Sequence, residues 1–196
     1  LAGCISQLNP DDVLYGQLLS LDVDVAPLTN WGQTVPLDLV MRQPADEFPL
    51  LYRFSHLLDK HQIRVSIPVT AEFSDAVRLS LALHFSVKLK VGQPDQELIE
   101  ELSEILDIYL HRSTISQPVE YFHSIFLSFF LREPSSLWFI QEEDPEQIRF
   151  VSDTGEEGFS QRLKGLPFPN QNGLLPAEET LSGERSECDD CEFFDR

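Results

Sequence analysis

Ile63, Val65, Ile67 and Val69 alternate with more polar neighbours, and Pro68 stands at the end of that run, where a missing amide hydrogen costs a sheet least. Ser74 follows as a helix cap, and Ala76, Val77, Leu79, Leu81, Ala82, Leu83 and Phe85 fit a broad apolar helical face. Val87, Leu89 and Val91 then resume the alternation. Residues 63–94 therefore predict one strand–helix–strand unit, whose two strands pair in parallel across a right-handed crossover.

The same pattern extends to both sides. Asn9-Pro10-Asp11-Asp12 joins a cap, a proline at the first helical position and acids against the helix dipole, predicting a short helix that ends near Gln17. Leu19, Leu21, Val23 and Val25 alternate with Ser20, Asp22 and Asp24, a strand with one polar face. Thr29-Asn30-Trp31-Gly32 is the loop at its C-terminal end, and Val35, Leu37, Leu39 and Met41 form the next strand. Leu51, Phe54, Leu57 and Leu58 recur at helical spacing within residues 50–62. Asp95 caps an acidic helix with Leu98, Ile99, Leu102, Ile105, Leu106, Ile108 and Tyr109 inward, ending near His111-Arg112. Ser116-Gln117-Pro118 begins another, with Val119, Phe122, Ile125, Phe126, Phe129 and Phe130 on its buried face. Leu137, Phe139, Ile148, Phe150 and Val151 predict two short strands around residues 142–145, a hairpin.

From about Gly158 the apolar periodicity is lost and Gly, Pro, Asn and Glu dominate. The expected organisation is a βα-repeat partial barrel domain over residues 1–157 and an extended tail with a C-x-x-C pair over residues 158–196. The fold class is α/β: a partial (half) TIM-type barrel or an open parallel βα sheet, carrying an irregular acidic tail.

The formal net charge of -19 repels phosphate backbones and anionic lipid, so neither nucleic acid nor a membrane surface is an expected partner. The longest apolar run, residues 125–131, is far too short to span a bilayer. The first residues lack a basic stretch followed by an apolar core, and the cysteines are an odd number with one close pair. Both features predict a reducing, cytoplasmic setting.

Cys188 and Cys191 offer two thiolates at a spacing that suits one tetrahedral metal or one edge of an iron–sulfur cluster, against redox chemistry or no chemistry at all. Thr29, Asn30, Thr70, Glu72 and Gln93 are expected at the C-terminal rim of the parallel strands, where a peptide or partner would meet the fold. His111, Ser113, His123 and Ser124 match no catalytic spacing, with or without Glu142, Glu143 and Asp144 as an orienting acid. Asp22 and Asp24 share a strand face that solvent explains better than a cation. No nucleotide-binding glycine motif and no H-E-x-x-H run is present. An open sheet edge also predicts a covering element, which the extended tail, a second copy in a homodimer or another protein would supply.

The strand–helix series from Val35 to Val91, together with the tail CDDCEFF, resembles the later part of a radical S-adenosylmethionine protein of the peptide-maturing kind with its SPASM-type cluster domain. The resemblance implies a partial parallel barrel and a C-terminal extension that holds four-iron–four-sulfur clusters, with Cys188 and Cys191 among the ligands. That family's C-x-x-x-C-x-x-C motif is missing, so no S-adenosylmethionine site is expected. Its SPASM run continues to a further cysteine, so residues beyond Arg196 are expected. The implied role is a non-catalytic accessory protein that serves a complete radical enzyme or its peptide substrate. A metal-free interaction module and an enzyme with its site at the strand rim stand as alternatives.

Overall fold

Strands Gly16–Leu18 (β1), Leu37–Val40 (β2), Ile63–Pro68 (β3) and Ser86–Lys90 (β4) lie side by side in sequence order, every neighbouring pair parallel. The computed structural model describes residues 13–30, 35–92, 94–132, 140–141, 148–152 and 154–158. The chain divides into two units, Leu1–Gly158 and Phe159–Arg196, and the described residues belong to the first.

Period-two alternation gives the sheet two unlike faces. Leu37, Ile63, Leu39, Val65, Ile67, Val87 and Leu89 line up across the strands as one apolar face. Helices α1 (Pro44–Glu47), α2 (Phe73–Ala82) and α3 (Gln96–His111) and a 3-10 helix over Phe48–Leu57 flank the sheet, and Leu51, Phe54, Leu57, Phe73, Ala76, Val77 and Ile105 join the same core. The opposite face carries the register row Gln17, Asp38, Arg64 and Ser86, followed by Val40, Ser66 and Lys88. Beyond β4 the sheet is prolonged by one residue: Val119 bridges Val87 in parallel, and the Val87 amide donates to Pro118 O at 3.0 Å. Helix α4 (Glu120–Leu131) starts from that point.

A four-strand parallel sheet flanked by helices agrees with the α/β expectation, and residues 63–94 form the unit their periodicity predicts. Other expectations are corrected. The first strand is Gly16–Leu18, inside the predicted end of a helix, and not residues 19–25. The alternation at 19–25 survives only in part: Leu21 is buried and Asp22 and Asp24 are exposed, but Arg53 binds Asp22 and the Val23 carbonyl, so side-chain bonds hold the segment outside the sheet ladder. Residues 48–57 wind as a 3-10 helix, which the threefold spacing of Leu51, Phe54 and Leu57 matches better than an α-helical turn. Helix α2 is preceded by Glu72 in a left-handed conformation with no side-chain cap, so Ser74 lies in the first turn rather than at the cap. Asp95 caps α3 as expected, its carboxylate accepting from the Leu98 amide at 3.0 Å. Ile99 is exposed rather than inward. Phe150–Val151 (β5) pairs antiparallel with Glu157–Gly158 (β6); of the predicted hairpin, Leu137 and Phe139 lie outside the described residues.

The largest departure is on α4. Val119 and Phe122 are buried, whereas Phe126, Phe129 and Phe130, expected inward with them, are exposed. Helix α4 is apolar around most of its circumference, so one side packs on β4 and the remaining apolar side faces outward.

Candidate functional site

Charged residues inside buried strands need partners, and the polar face of the sheet supplies them. Asp38 and Arg64 are 0% and 2% exposed. The Arg64 guanidinium donates from Nη2 to Asp38 Oδ2 at 3.2 Å and from Nη1 to Glu120 Oε2 at 3.0 Å. Its Cζ lies 3.5 Å from the centroid of the Tyr15 ring, a cation–π contact. Asp38 also accepts from Gln17 Nε2 at 2.9 Å and from Ser66 Oγ at 2.8 Å. Three donors take most of the carboxylate's acceptor capacity, so this cluster ties β1, β2, β3 and the start of α4 together. Towards the C-terminal ends of the strands, Lys88 sits buried beside Ser66, Lys90 stands beside Pro68, and buried Gln141 donates from Nε2 to Val91 O at 2.9 Å.

A second buried polar group fixes the crossover between β1 and β2. The His61 ring nitrogens lie 3.1 Å from Val35 O and 3.0 Å from Leu28 O. Two carbonyl acceptors satisfy a ring that carries both N–H groups; a ring with one N–H can donate to only one of them. Lys60 Nζ donates to Thr29 O at 2.8 Å from the same turn.

These bonds decide where the predicted rim residues go. Thr29 is held by Lys60, ahead of the first residue of β3, whereas Thr70 and Glu72 follow its last residue, so they occupy opposite ends of that strand. The reason is the early β1: residues after Leu18 run back as the crossover, and the Ala26–Asn30 3-10 helix reaches the N-terminal end of β3. Asn30 closes that helix, and its side chain is outside the described set, as are Gln93, Cys188 and Cys191. Thr70 and Glu72 are both exposed at the C-terminal end, Thr70 O accepting from the Phe73 amide at 3.2 Å. His111 caps its own helix by bonding Asp107 O at 3.0 Å, and His123 is exposed on α4. A shallow groove of about 520 Å³ lies between α2 and α3, lined by Arg78, Ser103, Glu104, Asp107, Ile108 and Arg112, away from the strand ends.

Titration is shifted at two phenols. Burial raises both Tyr109 and Tyr121 above the ordinary tyrosine value of 10.0. Each packs on Phe122, with ring centroids 6.3 and 5.8 Å away, which locks α3 to the start of α4.

The network residues Gln17, Asp38, Arg64, Ser66 and Glu120 escape a motif search because they come from separate elements. A signal exists nonetheless: LDLV, IRVSIP and SVKLK place at least one charge each within strands that a parallel sheet should bury on both faces. No family model, curated protein or solved structure matches the chain.

Proposed function

We propose that this chain is a non-catalytic accessory subunit: a half barrel that helps to bind or position a peptide for a radical S-adenosylmethionine enzyme, with Cys188 and Cys191 as ligands to an iron–sulfur cluster. Parallel strands in sequence order, a polar inner row and helices on the apolar side are what a half barrel needs. The observation that carries the non-catalytic reading is the interlocked polar face. Among the described residues, Gln17, Arg64 and Ser66 all donate to Asp38 and Arg64 also donates to Glu120, while the expected rim residues Thr29 and Thr70 stand at opposite ends of β3.

Among the described residues, no group of three His, Cys, Asp or Glu side chains is placed to hold a metal. A cluster therefore draws on Cys188, Cys191 and ligands from outside the described residues, since two thiolates make half of a four-thiolate set. When bound, it would supply electron transfer or a rigid tie between tail and partner.

The test is anaerobic purification of the full chain with iron and acid-labile sulfide quantified. Iron and sulfide in near-equal amounts, lost in the Cys188→Ser, Cys191→Ser double variant, are the expected result; an iron-free native chain overturns the cluster. Peptide modification by a complete radical enzyme, timed with and without the chain, tests the accessory role. If the double variant still accelerates it, the interaction module without metal is the correct form.

A further inference from the structure

The exposed side of α4 is ordered as a stripe. Phe126, Leu127, Phe130 and Leu131 recur at spacings of three and four, with His123 one turn earlier and Phe129 alongside. Phe129 is 73% and Phe130 83% exposed, values far from those of the sheet-facing Phe122. We infer that this face of α4 is the interface at which a second copy of the chain docks, helix against helix, about a twofold axis.

Area points to a surface of interface size. Phe126, Phe129 and Phe130 together expose about two full rings; at roughly 200 Å² each, two copies bury roughly 800 Å² of phenylalanine surface. Leu127 and Leu131, about half exposed, bring the total to the roughly 1,000 Å² at which specific interfaces begin. Charge on the helix itself permits the pairing. The chain has 33 acidic and 14 basic residues, so two copies carry a net repulsion that an interface must offset. On α4 the one acidic side chain, Glu120, is turned inward to Arg64, and the exposed stripe ends in Arg132. No exposed carboxylate of α4 itself therefore opposes the approach of a second α4. An antiparallel pair of α4 helices also sets the positive end of each dipole beside the negative end of the other. The inference is independent of the iron–sulfur reading, because it concerns only mass in solution.

Sedimentation velocity of the full chain from about 1 to 100 µM reads it directly. A concentration-dependent dimer is expected, and added salt should tighten it by screening the shared negative charge. Phe130→Glu should weaken association by at least about 30-fold, as loss of a central aromatic anchor does. Tyr52→Glu, which charges an exposed aromatic on the 3-10 helix, should leave the dimer intact; circular dichroism checks that both variants fold. A native chain that stays monomeric at 100 µM, or a dimer that survives Phe130→Glu, overturns the inference.

Discussion

Asp38 receives hydrogen bonds from Gln17, Arg64 and Ser66 at a position closed to water, so its removal leaves a buried guanidinium with Glu120 but without its more deeply buried counter-charge. Breaking one side of a buried pair costs about 3–5 kcal/mol, and Asp38→Ala should lower the urea midpoint accordingly. Asp38→Asn, which keeps acceptor capacity without the charge, should fall between. The phenols give a second prediction. Tyr109 and Tyr121 hold their protons more tightly in the folded chain than in the unfolded one. Their contribution is complete below the ordinary value of 10.0 and is lost as pH climbs through the raised folded values. Urea midpoints at about pH 9 and pH 11 should therefore show an alkaline fall that the double variant Tyr109→Phe, Tyr121→Phe reduces. At this scale little of the site was legible. A strand pattern shows that Asp38 and Arg64 are out of place, but their meeting depends on the β2–β3 register and on a helix that begins at Glu120.

Elements were legible where the signal is local. Residues 63–94 carry alternation, helical spacing and alternation again, each long enough to outweigh its neighbours, and the strand–helix–strand unit follows them. Asp95 is legible for the same reason: a cap is set by residues within one turn. Its loss should be local too, so Asp95→Ala should destabilise by about 1 kcal/mol, read as a small shift in thermal midpoint with no loss of cooperativity. Residues 19–25 show the converse. Alternation records which side chains turn inward, and Leu21 does, but a strand also needs a neighbour for its amides. Arg53 and the Asp24 side chain, which accepts from the Ala26 amide at 3.1 Å, bind this segment instead. On α4 the failure is of another kind. Its apolar residues announce burial without saying against what, and among the described residues it is the side bearing Phe122 that is buried.

For the whole molecule, the class of fold was legible because βα alternation leaves few arrangements other than a parallel sheet. Function was less so. Cys188 and Cys191 lie outside the described residues, and the rim set predicted from loop positions is divided by the early placement of β1. Self-association through α4 has a consequence at this scale: a dimer that binds only in the folded state raises the thermal midpoint with protein concentration, and Phe130→Glu should abolish that dependence.

The order of strands in the sheet is the order of strands in the chain. During synthesis each strand of the sheet after β1 thus finds a neighbour already made. Helix α4 comes after all four, and among the described residues it carries five of the exposed large apolar side chains. A nascent chain would therefore pass most of its assembly without exposing that surface, and meet its second copy only when the sheet beneath is complete.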